Sequence, residues 1–261
     1  MEKEPTEFFD FAAYVGLTKQ LGGIEATEEL ANLCHIGPGS DVLDVGCGAG
    51  VTPCLLAKSY DCRVVGVDIR EAMVARCRER AQREGVADRV EFRVADVQDL
   101  PFEDELFDAV TSESVTAFPE DKQRAVNEYT RVTKPGGYVG LNESTWRKTP
   151  PTPELVAWVQ QDVGGNAEPL AAAEWLALLE AAGLTEIVHR VYDVNPQREA
   201  RRILRRYGLT GMLRIYRRTL SLYRRSPAYR RFLRGLRQGG LVPENITDYF
   251  GYGIYVGQKP S

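Results

Sequence analysis

The chain has 261 residues, of which 43% are hydrophobic and 27% are charged, and its formal net charge is −4. This is enough apolar sequence for one full core, whereas the lack of a run of about eighteen apolar residues and an acidic amino terminus argue against a membrane span and a secretory signal. Five cysteines without a C-x-x-C pair, beside two histidines, favour reduced thiols, no metal site and a cytoplasmic location.

The first predicted strand leads into a glycine-rich turn. Asp41 to Gly50 read DVLDVGCGAG, in which a short apolar run typical of a buried parallel strand precedes three glycines. Val51 stands where the third glycine of the dinucleotide pattern G-x-G-x-x-G would be. The pattern is therefore D-x-G-x-G-x-G, and a helix is predicted from Thr52 to Lys58.

Two further predicted strands each end in an acidic residue. Arg63 to Val67 is closed by Asp68, about twenty residues after the glycine turn, where a carboxylate can accept hydrogen bonds from both ribose hydroxyls. After a helix predicted over Ile69 to Glu84, the strand Val90 to Asp96 follows. The structural alternative for both acids is helix capping.

The later elements continue to alternate. They are a fourth strand at Phe107–Ser112, a helix at Asp121–Val132, a turn at Lys134–Gly137 before a fifth strand, a helix at Ala171–Ala182, a sixth strand at Glu186–Val194, and a last strand within ITDYFGYGIYVGQK. Such alternation predicts a doubly wound, Rossmann-like α/β sheet with right-handed crossovers.

Together these segments resemble the class I S-adenosylmethionine (SAM) dependent methyltransferases, over about residues 30 to 195. The resemblance implies seven strands with the last antiparallel beside the sixth, SAM as cofactor and S-adenosylhomocysteine as product. In the family, the position of Asp96 lies near the adenine amino group, and the backbone N–H of Val97 points to the ring. The cofactor-binding positions carried over are Asp44, Gly46, Cys47, Gly48, Gly50, Asp68, Ile69, Asp96, Val97 and Ser112.

The acceptor would lie at the carboxyl ends of the fourth and fifth strands. The fourth-strand loop has TSESVTAF rather than N-P-P-Y or D-P-P-Y, which argues against nucleic-acid bases and glutamine amides, and the chain looks more like the ubiquinone/menaquinone and sterol methyltransferase group. Glu113 and Glu143 are the predicted catalytic residues, as a cation site or general base, although either could instead orient a loop or cap a turn. The substrate-binding candidates are Tyr14, Ser114, Asn142 and Trp146.

A basic insertion separates the sixth and seventh strands. Residues Pro196 to Gly240 contain fourteen arginines, one acid (Glu199) and no lysine, so the segment carries +13 and the rest of the chain −17. Its periodicity predicts two consecutive amphipathic helices, the second beginning at Ser226-Pro227. Three roles stay open: a lid over the acceptor, a contact with an anionic membrane surface, and nucleic-acid binding, which the acidic body disfavours.

The predicted organisation has four parts: residues 1–40 as an N-terminal helical lid, 41–195 as the SAM-binding core, 196–240 as the insertion and 241–261 as the final strand. The predicted function is methyl transfer from SAM to a small-molecule or lipid-like acceptor at an undetermined N, O or C atom. The alternative is a non-catalytic SAM-binding scaffold, or a module whose arginine helices bind RNA or a partner protein. The oligomeric state is left open.

Overall fold

The computed structural model describes residues 11, 14, 15, 21–163, 167–238, 243 and 245–261. Its strands are β1 (Asp41–Val45), β2 (Arg63–Asp68), β3 (Val90–Val94), β4 (Phe107–Glu113), β5 (Thr133–Trp146), β6 (Leu170–Ala171), β7 (Thr185–Asp193) and β8 (Phe250–Gln258). Its helices are α1 (Gly23–Leu33), α2 (Val51–Ser59), α3 (Glu71–Glu84), α4 (Lys122–Val132), α5 (Pro153–Val163), α6 (Ala172–Ala181), α7 (Pro196–Arg225), α8 (Pro227–Gln238) and α9 (Ile246–Tyr249).

The sheet has the predicted doubly wound form. Its strand order is β3-β2-β1-β4-β5-β8-β7, with the short β6 paired to β5. The last strand, β8, is antiparallel to both neighbours and lies between β5 and β7. Because β2 and β4 flank β1 on opposite sides, the direction of winding reverses at β1, where open α/β sheets bind ligands at the carboxyl edge.

Helices cover both faces of the sheet. On one face α1, α2 and α3 contribute to a buried apolar cluster, and on the other α4 and α6 do so. Local sequence sets several helix ends: the Asp121 carboxylate accepts a hydrogen bond from Arg124 N at 2.9 Å at the start of α4, and Gly85 ends α3 in the left-handed region.

The predicted Lys134–Gly137 turn and the predicted end of the third strand differ from the structure. The Lys134–Gly137 segment is not a separate turn but the irregular first part of β5, in which Gly136 has a φ of 76° and donates its N–H to Lys259 O at 2.8 Å. A side chain at Gly137 would come within 2.7 Å of Asp108 O, so the glycine permits close strand pairing. β3 ends at Val94, before the predicted Asp96.

The insertion forms the two predicted helices, but its apolar residues are not all covered. Gly208 interrupts α7 with a φ of 61°, and Ser226 precedes α8. Leu222 is buried, whereas Leu213 and Tyr216 of the same helix are exposed. The body of the chain therefore covers only part of the apolar side of α7.

Part of the predicted N-terminal lid lies outside the described residues, namely 1–10, 12, 13 and 16–20. Within the part that is described, Phe11 and Val15 pack with Leu222 and Tyr229 of the insertion. None of the helices described is both long and apolar enough to cross a membrane.

Candidate functional site

The glycine turn after β1 has a backbone that only glycine adopts readily. Gly46, Gly48 and Gly50 have φ values of 66°, 53° and 74°. A Cβ atom on Gly46 would also lie 2.1 Å from Val115 Cγ2, so the loop after β4 sits directly against the turn. Cys47 N donates to Val67 O at 2.8 Å, which joins the turn to the end of β2.

Two acidic side chains hold the strand ends that surround this turn. Asp44 is buried and accepts a hydrogen bond from Thr111 Oγ1 at 3.0 Å. The Asp68 carboxylate accepts from Gly48 N at 3.0 Å and from Arg70 N at 2.9 Å. Burial raises the pKa of Asp68, and these two N–H donors oppose that rise by favouring the carboxylate.

Next to Asp68 the edge of the sheet is open. Ile69 is 64% exposed, and Val97 is half-buried. Asp96 accepts a hydrogen bond from Gln98 N at 2.9 Å, an Asx-type turn that fixes the chain after β3. Each oxygen of a carboxylate has two acceptor directions, so the bonds from Gly48 and Arg70 leave Asp68 able to accept ribose hydroxyls.

Glu113 ties three elements together at the carboxyl end of β4. It accepts hydrogen bonds from Thr27 Oγ1 of α1 at 3.1 Å, Thr52 Oγ1 of α2 at 2.9 Å and Asn142 Nδ2 of β5 at 3.0 Å. The arrangement connects the N-terminal helix to the helix that follows the glycine turn.

Glu143 lies fully buried in the adjacent strand. Its Oε1 accepts from Val115 N at 2.9 Å, Thr116 N at 2.7 Å and Ser112 Oγ at 3.3 Å, so it holds the loop after β4. Burial raises its pKa to about 7 despite these donors. At neutral pH the group can therefore both hold and release a proton.

Three buried oxygens at this edge lack a hydrogen-bond partner within the described part of the chain: Ser114 Oγ, Asn142 Oδ1 and Glu143 Oε2. Ser114 N donates to Asn142 O at 2.8 Å, which places the first two residues on neighbouring strand ends. Ser114 also has a φ of 59°, a strained value for a serine. Unpaired buried oxygens are costly, and a polar ligand would relieve that cost.

The other two predicted acceptor residues have different surroundings. Trp146 packs edge-on against Phe250, with ring centroids 5.7 Å apart. Tyr14 is partly buried against the cluster that Leu222 and Tyr229 form with the N-terminal residues. The contacts described for both are therefore with apolar packing partners.

Sequence reasoning missed several residues that complete the site. Thr52 was detectable in principle, because it stands in the first turn of the helix after the glycine turn. Thr27 and Thr111 gave no such indication, since each meets its partner, Glu113 or Asp44, only through the fold. Among the described residues, no group of three or more His, Cys, Asp or Glu is placed to hold a metal ion.

Comparison with known proteins agrees with this geometry. Residues 43–141 match the family described as a methyltransferase domain. This part of the chain is therefore similar to a methyltransferase domain. The positive-φ glycines, the anchored Asp68 and the open edge at Ile69 all suit SAM as its cofactor.

Individual relatives are similar over part of their length. Phosphoethanolamine N-methyltransferase of Triticum aestivum is 36% identical over 140 residues, which are 54% of this chain and 27% of the relative. The 27-O-demethylrifamycin SV methyltransferase of Amycolatopsis mediterranei (strain S699) is 34% identical over 160 residues, 60% of this chain and 58% of the relative. The chain thus spans between about a quarter and three fifths of the length of these two curated relatives.

Solved structures extend the likeness over nearly the whole chain. The [4+2]-cyclase SpnF superimposes with a TM-score of 0.68 and 25% identity, covering 90% of this chain and 80% of that protein. Phosphoethanolamine N-methyltransferase 2 of Haemonchus contortus gives a TM-score of 0.71 and 20% identity, covering 97% of this chain and 57% of that protein. The second likeness concerns the fold alone.

Proposed function

We propose that the protein transfers the methyl group of SAM to a small-molecule or lipid-like acceptor bound at the carboxyl ends of β4 and β5. The observation that carries the proposal is the fully buried Glu143, whose Oε2 has no hydrogen-bond partner among the described residues. Its Oε1 binds Val115 N, and Val115 in turn contacts Gly46, so Glu143 is connected to the glycine turn. A polar acceptor group can pair with this oxygen.

SAM supplies a methyl group already activated by its sulfonium charge, so the chain has chiefly to position the acceptor. When an N–H or O–H acceptor gains the methyl group it loses a proton, and Glu143 is the group we assign to take it. A pKa of about 7 suits this exchange near neutral pH. Asn142 and Ser114 would orient the acceptor through their unpaired oxygens.

The relatives leave the acceptor atom open. Their names include a phosphoethanolamine N-methyltransferase, a 27-O-demethylrifamycin SV methyltransferase and a geranyl diphosphate C-methyltransferase, which indicate an amine, a hydroxyl and a carbon acceptor respectively. We propose an acceptor from this small-molecule range. Glu113, with hydrogen bonds to α1, α2 and β5, we assign to keeping the N-terminal helix closed over the site.

We also propose that the insertion and the N-terminal residues form one lid. The ring of Phe11 packs at a tilt of 58° against that of Tyr229 of α8, with ring centroids 4.8 Å apart, and Arg205 Nη1 of α7 pairs with Glu25 Oε1 of α1 at 2.5 Å. Both contacts join the insertion to the N-terminal region rather than to the sheet. A ligand that enters between them would have to displace this lid.

The outer surface of α7 supports a second role, contact with an anionic membrane surface. Leu209 is 79% exposed, and Leu213 and Tyr216 are also exposed beside Arg217. Exposed apolar residues next to arginines suit the boundary between headgroups and acyl chains. Salt-sensitive binding to anionic vesicles that the double variant Leu209→Ser/Leu213→Ser loses would support this role. Equal binding of the wild type to anionic and to zwitterionic vesicles would refute it.

A methylation screen tests the proposed activity. The protein is incubated with methyl-labelled SAM and panels of amines, hydroxyl compounds and isoprenoid diphosphates, with Glu143→Gln as the matched variant. Label transfer that the wild type performs and the variant largely loses would support the proposal. SAM binding without transfer to any member of the panels or to a metabolite extract would favour the non-catalytic alternative.

A further inference from the structure

A cavity lies away from the strand ends, between α3 and the insertion. It has a volume of about 240 Å³ and is bordered by Ala49 of the glycine turn. The residues assigned to the acceptor at the ends of β4 and β5, Ser114, Asn142 and Glu143, are not among those that line it.

The cavity wall is strongly cationic. Five arginines face it against two glutamates, an excess of three positive charges; the arginines are Arg76, Arg80, Arg83, Arg214 and Arg218. They come from two elements, α3 and α7, that are more than one hundred residues apart in the chain. Their convergence is therefore a product of the fold rather than of a basic run on one helix.

The two glutamates are already engaged by part of this set. Glu79 accepts from Arg76 Nη1 at 2.9 Å and lies 3.6 Å from Arg218 Nη2, and Glu84 accepts from Arg80 Nη1 at 2.8 Å. Arg83 and Arg214 have no ion pair or hydrogen bond among the described residues. These two guanidinium groups are available to a ligand.

The arginines also repel one another. Loss of solvent, together with the charges of Arg214 and Arg80, lowers the pKa of Arg83, and loss of solvent with the charge of Arg76 lowers that of Arg218. Arginine stays protonated at neutral pH in spite of these shifts, so the positive charges continue to repel one another. A bound anion would reduce this repulsion.

We infer that this cavity binds the phosphate group of a phosphorylated ligand. Guanidinium groups from two sides can each donate a bidentate pair of hydrogen bonds to phosphate oxygens. A carboxylate has only two oxygens and would engage fewer of these donors. The volume is below the roughly 300 Å³ at which drug-sized sites begin, so a phosphate group fits better than a whole nucleotide.

The rest of the ligand has space beside the phosphate. An adjoining cavity of about 400 Å³ shares Thr210, Arg214 and Arg218 with the first and continues to Tyr14 and Leu213. Its mixed polar and apolar wall suits an organic group attached to the phosphate. That group can belong to a free phosphate ester or to a lipid headgroup, since both present the same chemistry to the arginines.

The site also borders the cofactor turn. Arg80 donates from Nε to Ala49 O at 2.8 Å and lies over the ring of Tyr207 at 5.9 Å from its centroid. One arginine of the cavity thus holds the turn that carries the cofactor-binding glycines. We leave Arg80 intact in the test because its loss would disturb that turn directly.

Calorimetric titration of the full chain with pyrophosphate, at constant ionic strength set with chloride, tests the site. The test variant is Arg83→Gln/Arg214→Gln, and the matched control is Arg224→Gln/Arg225→Gln, which removes the same charge from exposed positions outside both cavities. Circular dichroism verifies that all three proteins are folded. We expect saturable binding that weakens about tenfold or more in the test variant, and by less than about twofold in the control.

Vesicles containing phosphatidate distinguish the two sources of phosphate. Cosedimentation lost in the test variant but kept in the control supports a lipid headgroup, and cavity-dependent pyrophosphate binding without vesicle binding supports a soluble ester. Pyrophosphate binding that is absent, or that falls equally in both variants, would overturn the inference. If pyrophosphate does not bind, vesicle binding that depends only on Arg224 and Arg225 would also overturn the inference.

Discussion

Different physical constraints select the residues of the core and those of the insertion. In the core, residues such as Gly46 have no alternative, because its φ of 66° and its contact with Val115 both exclude a side chain. In the insertion, fourteen arginines alternate with apolar residues on helices whose exposed positions tolerate many substitutions. The core therefore has a sequence pattern typical of a family. The insertion has instead a high positive charge, and the role of that charge depends on the molecule or surface that the insertion contacts.

The largest effect should come from the carboxylate at the base of the acceptor site. Glu143→Gln keeps the shape and the hydrogen bonds to the β4 loop but cannot take a proton. We expect turnover to fall by roughly 10²–10⁴-fold with little change in SAM affinity, measured by single-turnover kinetics and calorimetry. Full rate in the variant would return Glu143 to a purely structural role.

The pH dependence sharpens the same test. With a pKa of about 7, Glu143 becomes a carboxylate as the pH rises through 7, so wild-type turnover should rise over that range. Since its folded pKa lies above the ordinary value of 4.5, its contribution to stability is greatest below about pH 4.5 and is lost as the pH rises to about 7. Urea unfolding of the wild type and Glu143→Gln should converge below about pH 4.5 and diverge as the pH rises from about 4.5 to about 7, with the wild type losing stability relative to the variant and the difference levelling off above pH 7.

A substitution in the glycine turn should damage the core next most strongly. Gly46→Ala forces a Cβ to within 2.1 Å of Val115 and imposes a left-handed backbone on alanine. We expect a loss of about 2–4 kcal/mol in unfolding free energy, from overpacking and backbone strain together. Gly85→Ala is the control, because its φ is also positive but no atom lies within 4 Å of the added Cβ. Equal losses in the two variants would contradict the close contact.

The ribose assignment predicts a smaller and more specific effect. Asp68→Ala removes a charged acceptor and should weaken SAM binding by roughly 1.5–3 kcal/mol in calorimetry. It also frees Gly48 N and Arg70 N, which bind different oxygens of the carboxylate, so Asp68→Asn, which keeps the side-chain shape and one of the two acceptor oxygens, serves as the comparison. SAM affinity unchanged in the alanine variant would sink this assignment, and measurable NAD binding would contradict the glycine spacing.

Single surface ion pairs of the insertion should matter least. Arg205 and Glu25 join α7 to α1, but their side chains are 72% and 44% exposed. We expect Arg205→Gln to cost only about 0.2–1 kcal/mol in urea unfolding, and less at high salt. Arg201→Gln removes an equal charge from an exposed position of the same helix and should cost no more. A loss of several kcal/mol would mean that the insertion is held far more tightly than its contacts indicate.

The same division explains what the sequence could predict. The doubly wound sheet, the antiparallel β8 and the insertion helices followed from periodicity, glycine positions and the family resemblance. The hydrogen bond from Thr27 to Glu113 did not, because the two residues meet only after α1 packs against β5 and β8. The arginine-lined cavity was not predicted for the same reason. Helical periodicity separates polar from apolar faces, but it does not indicate which arginines of α3 the insertion will approach.

One variant tests the division between core and insertion most directly. β7 ends and β8 begins side by side, with Asp193 paired to Gly251, so Arg198 to Gln238 can be removed and the ends joined by a short loop. SAM affinity and turnover are then measured on the wild type and the deletion protein. We predict a SAM dissociation constant within about threefold of the wild type and turnover reduced below detection; full turnover, or loss of SAM binding by a folded core, would contradict the account.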